Sequence, residues 1–374
     1  MNVLFVSPSF APAYYYGGPI VSSERLCQSL SALGCEVRVV STNAAGNGRV
    51  LEVDTSRPIE RGGILVSYCR RTCGEDISVS FLRRISRAVK WADVVIVNAV
   101  YSPHCLVTLF ACRVEAKPVL WSPRGSLQGG LPESLVKQLW LRLLSGVMPE
   151  RISLHLTSEV EQTESSWAFP EVRRDVIANG VTVPPQPVSG RQGGRLRLVY
   201  VGRLHAIKGL RLLFEAMAIN RREGRAPVEL VLIGEGTPSH SNELAAAAAK
   251  LELNELIEFT GAIHDAESRI KILDNCDAGV LVSERENFGN AVAEIMAAGL
   301  PVVVTDNLPW TEVAKRGCGF VVRRSAEDLA AVLGNLRRED LRPMGARARA
   351  WMAEEFSWDT RGAEIMASLQ RLCK

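Results

Sequence analysis

Short runs rich in valine, isoleucine and leucine alternate with amphipathic stretches along both halves of this chain. Such alternation predicts buried parallel strands connected by helices. The first half has strand-like runs at Val3–Val6, Val37–Ser41, Ile64–Tyr68, Val94–Asn98, Val119–Ser122 and Ser153–Thr157, and the second at Leu196–Val201, Val228–Ile233, Ile257–Thr260, Ala278–Val282 and Val302–Thr305. The pattern therefore predicts an α/β fold with two Rossmann-like, doubly wound domains facing across a cleft.

Helical periodicity fills the intervals between these runs. Helices are predicted at Ile20–Leu33, Val79–Trp91, Ser134–Leu144, Leu210–Asn220, Ser241–Leu251, Ala266–Asn275, Asn290–Ala298 and Ala326–Leu336. A chain of 374 residues exceeds what one hydrophobic core usually organises. Residues 181–194 contain three prolines and three glycines, which is typical of a linker. The predicted organisation is a domain at residues 1–183, a linker at 184–194, a second domain at 195–355 and an amphipathic terminal helix at 356–374.

Charge and cysteine content exclude several classes of protein. The chain has 44 basic and 41 acidic side chains, an excess too small to indicate a nucleic-acid partner. Nine cysteines occur without paired CxxC spacing, which favours reduced thiols. Cys69 and Cys73 lack the neighbours of a zinc site, so no metal is predicted there. The first residues do not have the pattern of a signal peptide, and we expect a cytoplasmic protein.

The stretch from Ser283 to Val304 combines several structural signals. Gly289 marks a turn after a strand, a helix is predicted to begin near Asn290, Gly299 is placed to end it, and Pro301 precedes the next strand. Because the turn follows a parallel strand, it is expected at the carboxyl end of a sheet, where such folds bind ligands.

This predicted turn has the chemistry to bind a sugar nucleotide. Free amides around Phe288, Gly289 and Asn290, together with the helix dipole, would attract a diphosphate. Glu294, one turn into the helix, and Glu286, on the turn, would accept hydrogen bonds from hydroxyl groups of a ribose and of a transferred hexose. The alternative is that both carboxylates are solvated charges at a helix end.

The Glu286-Asn287-Phe288-Gly289 turn followed by Glu294 resembles the E-x7-E signature of retaining family 4 glycosyltransferases of GT-B fold, in the subgroup with Ser-Pro-Arg-Gly and Glu-Asn-Phe-Gly motifs. Further similar segments are residues 178–181, 201–209, 233–236, 260–261 and 356–358. The resemblance implies a hexosyltransferase that uses a UDP- or GDP-linked sugar. It also implies that the first domain takes the acceptor, the second binds the donor, and the terminal helix crosses back to the first.

Two basic residues of the second half take their expected roles from this resemblance. Arg203 and Lys208 would stabilise the leaving nucleoside diphosphate. With Glu286 and Arg124 they form the predicted catalytic set. The predicted donor-binding residues are Gly17, Gly18, Arg203, Lys208, Gly234, Ile263, Glu286, Asn287, Phe288, Gly289 and Glu294. No metal and no cofactor is predicted, since the cations and the helix dipole would replace a divalent ion.

Arg124, in Trp121-Ser122-Pro123-Arg124-Gly125, departs from the common family pattern, which has a histidine facing the transferred sugar. Arg124 could bind a sugar hydroxyl or an acceptor phosphate, or form a structural salt bridge. His104, in Ser102-Pro103-His104-Cys105, is interpreted as a helix-start or core residue rather than as the missing histidine.

The basic residues of the first half are relevant to the chemical class of the acceptor. One basic region comprises Arg70, Arg71, Arg83, Arg84, Arg87 and Lys90, and a second helix places Leu135, Leu139, Trp140 and Leu143 beside Lys137 and Arg142. Such helices can rest on anionic lipid, at the inner face of the cell membrane, or can simply pack on their own sheet. The expected acceptor is a glycan or a lipid-diphosphate-linked glycan of cell-surface polysaccharide biosynthesis. Two alternatives stay open: a GT-B-fold sugar-nucleotide 2-epimerase and a catalytically silent subunit.

Overall fold

The computed structural model describes residues 1–74 and 77–374, which divide into two units. Residues 1–180 and 358–374 form the first unit, and residues 181–357 form the second. The described ranges include no helix that is both long and apolar enough to cross a membrane.

The first unit is built on an eight-stranded sheet with the order β10-β9-β8-β7-β1-β2-β6-β5. Its strands, with a separate β3-β4 hairpin, are β1 (Asn2–Val6), β2 (Glu36–Thr42), β3 (Ala44–Gly46), β4 (Arg49–Val50), β5 (Ile59–Arg61), β6 (Ile64–Cys69), β7 (Val94–Asn98), β8 (Val119–Ser122), β9 (Ile152–Leu156) and β10 (Arg173–Val176). All neighbours in the large sheet are parallel except β5 and β6, which are antiparallel. The sheet is thus parallel as predicted, apart from one short edge strand.

In the described residues of this unit, six helices cover the two faces of the sheet. They are α1 (Gly18–Ala32), α2 (Val79–Trp91), α3 (Pro103–Val114), α4 (Leu135–Val147), α5 (Glu159–Glu164) and the terminal helix, here named α13 (Trp358–Cys373). Helices α2, α3 and α4 bury Phe81, Leu109 and Leu144 in one core. Helices α1 and α13 bury Leu30 and Leu369 in a second core on the opposite face. His104 is the second residue of α3 and is buried, so its interpretation as a helix-start and core residue is confirmed.

Asp175 connects α13 to the edge of the sheet. Its carboxylate accepts hydrogen bonds from the hydroxyls of Ser153 and Ser368, both at 2.8 Å, and pairs with Arg173 at 3.1 Å. Burial opposes ionisation, but the two hydroxyl donors and the arginine outweigh it and lower the pKa of Asp175. The charged form therefore stabilises the folded first unit.

We expect Asp175→Asn to lower the free energy of unfolding by about 1–3 kcal/mol at neutral pH, because a charged hydrogen-bond acceptor is lost. Since the folded pKa lies below its ordinary value, the native contribution is present above about pH 4 and is lost as the pH falls through the folded pKa. The free energy of unfolding of the variant should therefore fall less steeply than that of the wild type as the pH is lowered into the acid range. Chemical denaturation at several pH values measures this dependence. Asp359→Asn, an exposed change on the same helix, is the control. This prediction would be contradicted if the Asp175 variant and the wild type had the same free energy of unfolding at neutral pH and the same dependence of it on acid pH.

The second unit contains one six-stranded parallel sheet with the order β13-β12-β11-β14-β15-β16. Its strands are β11 (Arg197–Val201), β12 (Glu229–Ile233), β13 (Ile257–Gly261), β14 (Ala278–Leu281), β15 (Val302–Thr305) and β16 (Gly319–Val322). Its helices are α6 (Leu210–Arg222), α7 (Pro238–Lys250), α8 (Ala266–Leu273), α9 (Asn290–Ala298), α10 (Glu312–Lys315), α11 (Ala326–Asn335) and α12 (Arg338–Glu355). The sheet reverses its winding direction between β11 and β14. A parallel α/β sheet opens a crevice for ligands at such a point.

Candidate functional site

The two loops that meet at this reversal point carry Lys208 and Glu286. Lys208 ends a short 3-10 helix after β11, and Glu286 lies on the turn after β14. The backbone N–H of Glu284 donates to the carbonyl of Ile207 at 2.7 Å and fastens the loops together. Lys208 Nζ lies 2.5 Å from Glu286 Oε1, an atom that also accepts from the hydroxyl of Ser283 at 2.8 Å. Two residues predicted for the site thus form a largely buried ion pair.

Arg203 occupies the same loop as Lys208 but lies in solvent. The buried Tyr200 hydroxyl donates to its backbone carbonyl at 2.8 Å and fixes the start of the loop. Burial, with the nearby charge of Glu286, raises the pKa of Tyr200, so this phenol stays a hydrogen-bond donor. Within residues 1–74 and 77–374, no carboxylate pairs with the Arg203 side chain. Its guanidinium is therefore available to an anion.

The predicted turn and helix are confirmed in the second unit. Gly289 has φ of 86°, and α9 begins at the next residue and ends before Gly299. A β-carbon at Gly289 would lie 3.0 Å from Trp310 Nε1, so positive φ and close packing both favour glycine. Trp310 Nε1 donates to the carbonyl of Phe288 at 2.5 Å, and the two rings pack 5.0 Å apart. Phe288 therefore supports the turn from inside.

Glu294 is held by a cation that the sequence did not single out. Arg269, on α8, donates from Nη1 to Glu294 Oε2 at 2.7 Å. Its Nη2 donates to the carbonyl of Ile263 at 3.3 Å. One guanidinium thus connects two residues of the predicted site, while about a quarter of the Glu294 side chain stays exposed. The carboxylate is fixed in position and still accessible.

Glycines close the carboxyl ends of the neighbouring strands. Gly202 donates its N–H to the carbonyl of Ile233 at 3.0 Å, and Gly234 donates to the carbonyl of Gly261 at 2.8 Å. A β-carbon at Gly234 would collide with the carbonyl oxygen of Gly202. These strand ends therefore present backbone without side chains beside Arg203.

In the first unit, Gly17 and Gly18 lie at the start of α1, the helix that follows β1. Gly17 has φ of 76°, and Gly18 is the first residue of α1. The preceding loop is anchored by Tyr14, which donates to Glu24 at 3.3 Å and accepts from Arg61 at 3.1 Å. The double glycine is thus held next to the reversal of strand order between β1 and β7.

Arg124 lies in the loop after β8, with φ of 54°. Its Nε and Nη1 donate to the side-chain oxygens of Asn98 and Asn179 at 3.3 and 2.7 Å. Its Nη2 is buried without a hydrogen-bond partner in the described structure. Burial lowers the pKa of Arg124 to about 10, against the opposing charge of Glu161. No direct salt bridge holds this guanidinium among the described residues, which argues against the structural salt bridge.

The sequence reasoning missed the side chains that position these groups. Arg269 is an ordinary basic residue of an amphipathic helix. Trp310 is separated in the sequence from its partner Phe288 by one helix, α9, and one strand, β15. The signal that could have revealed the role of Trp310 is the presence of a tryptophan in the loop 306–311. In the described part of the chain, no cluster of three or more histidine, cysteine or acidic side chains could hold a metal ion.

Comparison with known proteins identifies the second unit. Residues 195–339 match the model of the family described as Glycosyl transferases group 1. These residues are thus similar to a glycosyl transferases group 1 domain. The matched range contains the Lys208–Glu286 pair, the whole of α9 and Arg269.

Curated relatives match this chain in part. A GDP-mannose:cellobiosyl-diphosphopolyprenol alpha-mannosyltransferase of Xanthomonas oryzae pv. oryzae is 26% identical over 253 residues, 65% of this chain and 64% of the relative. A D-inositol 3-phosphate glycosyltransferase of Jonesia denitrificans is 28% identical over 237 residues, 57% of this chain and 55% of the relative. The matches thus span less than two thirds of either relative.

Solved structures extend the likeness to the whole chain at the level of the fold. Anabaena HepE, crystallised in complex with UDP, is 18% identical, with a TM-score of 0.76, covering 99% of this chain and all of that one. The predicted fold is confirmed: this chain has the GT-B architecture of two Rossmann-like domains.

Proposed function

We propose that this protein is a retaining glycosyltransferase of family 4 that moves a hexose from a UDP- or GDP-linked sugar to a glycan. The observation that carries the proposal is the Lys208–Glu286 ion pair at the reversal of strand order, within the residues that match the Glycosyl transferases group 1 model. Titratable groups paired at such a crevice are typical of functional sites.

The donor diphosphate would bind between the N-terminus of α9 and the loop after β11. Helix dipoles favour anions at that end, and Arg203 and Lys208 add two positive charges. In the ligand-free chain the charge of Lys208 is balanced by Glu286, so a diphosphate would share this lysine. Glu294, oriented by Arg269, would accept from the ribose hydroxyls. Glu286 would accept from a hydroxyl of the hexose. The site as proposed uses no metal.

In the transfer step, an acceptor hydroxyl oxygen forms a bond to the anomeric carbon while the bond from that carbon to the diphosphate oxygen breaks. The leaving diphosphate oxygen takes the hydroxyl proton on the same face of the sugar, so the configuration is retained. Lys208 and Arg203 stabilise the negative charge that grows on the leaving group. Fixed charges of this kind lower a barrier because they need no reorganisation during the reaction.

The acceptor would be a glycan or a lipid-diphosphate-linked glycan of cell-surface polysaccharide biosynthesis. The name of the Xanthomonas relative includes a diphosphopolyprenol acceptor, and HepE has been solved with UDP-glucose, both in keeping with this class. In the first unit, Arg124 has a buried Nη2 left for a sugar hydroxyl or an acceptor phosphate. The Gly17-Gly18 loop would let a substrate approach the backbone.

A donor screen tests this function. Purified protein is incubated with UDP- and GDP-linked hexoses, with and without glycan and polyprenyl-diphosphate-linked acceptors, and nucleoside diphosphate release is measured. We expect release that depends on the acceptor, with the anomeric configuration of the donor retained in the product by NMR. A donor sugar altered without acceptor would instead indicate an epimerase. Donor binding without turnover across the panel would indicate a silent subunit.

A further inference from the structure

Three neighbouring helices of the first unit form one outer layer. Helix α2 packs against α3, and α3 packs against α4. Their buried residues, among them Ile85, Cys105 and Leu141, belong to the same core beneath them. The α2–α4 surface is defined here as the exposed side chains of these three helices. It covers one face of the eight-stranded sheet.

The charge of this layer differs from that of the chain as a whole. The three helices contain no aspartate or glutamate and seven cations, namely Arg83, Arg84, Arg87, Lys90, Arg113, Lys137 and Arg142. The full chain is nearly balanced, at 44 basic and 41 acidic side chains. Acidic residues border the layer, with Glu133 before α4 and Glu115 after α3, where it pairs with Lys90 at 3.5 Å. The three helices themselves therefore contribute cations and no carboxylate to this surface.

The same layer exposes large apolar side chains. On α4, Leu135, Val136, Leu139 and Leu143 are 73%, 76%, 62% and 49% exposed. Val79 and Leu82 on α2 and Phe110 and Val114 on α3 are also at least 47% exposed. Clusters of exposed apolar residues are uncommon on proteins that have no partner for them. Lys137 and Arg142 lie on α4 within this apolar set.

We propose that the α2–α4 surface docks onto an anionic lipid bilayer, with α4 lying in the plane of the headgroups. Apolar side chains mixed with lysine and arginine, without carboxylates, fit the interface between acyl chains and negative headgroups. A second copy of this chain fits poorly, because pairing two such surfaces would bring the cations of one copy against those of the other. Lysine and arginine stems can also extend from the apolar layer to the headgroups.

Vesicle flotation tests this proposal without any donor or acceptor, so its outcome is independent of the proposed function. We expect binding to phosphatidylglycerol-containing vesicles at low salt, at least about 10-fold weaker binding to pure phosphatidylcholine, and loss of binding as salt rises. The triple variant L135Q/V136Q/L139Q should bind at least about 10-fold more weakly, because these side chains would no longer enter the bilayer. Its control is L33Q/L65Q, which replaces exposed leucines elsewhere in the unit.

A charge-reversal variant measures the electrostatic contribution to vesicle binding separately from the apolar one. R142E should weaken binding several-fold, whereas R25E, an exposed change on α1, should not. Circular dichroism checks that each variant is folded. Equal binding to charged and uncharged vesicles, no binding at low salt, or binding unchanged in the triple variant would overturn the proposal. So would a dimer in sedimentation experiments that the triple variant dissociates while vesicles fail to bind.

Discussion

Replacing Lys208 with alanine is expected to lower kcat roughly 100-fold, which corresponds to about 3 kcal/mol of transition-state stabilisation. The lysine would act most strongly on the additional charge that develops as the diphosphate leaves, so the KM for the donor should change less than kcat. Steady-state kinetics with saturating acceptor measure both constants. The variant removes the partner of Glu286, so a thermal melt must accompany the kinetics.

Lys250→Ala is the matched control, because Lys250 is an exposed lysine at the end of α7 in the same unit. It should leave kcat and KM unchanged. A folded Lys208→Ala enzyme with the wild-type kcat would contradict the role proposed for this lysine. A variant that lost donor affinity and kept kcat would place Lys208 in ground-state binding instead.

Glu294→Ala is expected to weaken nucleoside diphosphate binding about 10- to 100-fold. The estimate follows from about 1.5–3 kcal/mol for hydrogen bonds between a carboxylate and two ribose hydroxyls. Titration calorimetry with UDP and with GDP measures the effect without turnover. The change also leaves Arg269, which donates to the carbonyl of Ile263, without its carboxylate partner.

Two further variants distinguish the hydrogen bonds of Glu294 to the ribose from the effect of leaving Arg269 without its carboxylate. Glu267→Ala, on α8, removes an exposed carboxylate that pairs with Lys271 and should leave binding unchanged. Arg269→Gln keeps Glu294 but removes its orientation, and should weaken binding less than Glu294→Ala. Unchanged affinity in Glu294→Ala would remove this residue from the proposed site.

The turn around Gly289 could be predicted from sequence because each of its signals is local. Glycine at a positive φ, the start of α9 and the glycine at its end depend on neighbouring residues in the chain. The alternation of strands and helices was informative for the same reason, since both faces of a parallel sheet are buried. These local rules placed Glu286 and Glu294 on the correct elements.

Contacts between distant segments could not be predicted in this way. The pairing of Arg269 with Glu294 requires knowing that α8 and α9 are neighbours, and the Lys208–Glu286 pair joins residues from two loops. Helix α12 was missed because Pro343 and repeated arginines obscure its periodicity, although Leu341 and Met352 are buried. Its stability comes from tertiary packing rather than from local propensity.

In the first unit, too, local signals could be predicted from sequence and contacts between distant segments could not. Helix α3 was not predicted as a helix because its mostly apolar sequence lacks a clear polar face, and only its start at Ser102-Pro103 gave a signal. The position of Arg124 after a strand was correct, but its contacts join the loop after β8 to Asn98 at the end of β7 and to Asn179 beyond β10, which are far apart in the sequence.

A crystal structure of this protein with bound UDP or GDP tests the central claim most directly. We expect the diphosphate at the N-terminus of α9, within hydrogen-bond distance of Arg203 and Lys208, and the ribose hydroxyls on the carboxylate of Glu294. A nucleotide bound elsewhere, or bound here with these three side chains directed into solvent, would contradict it.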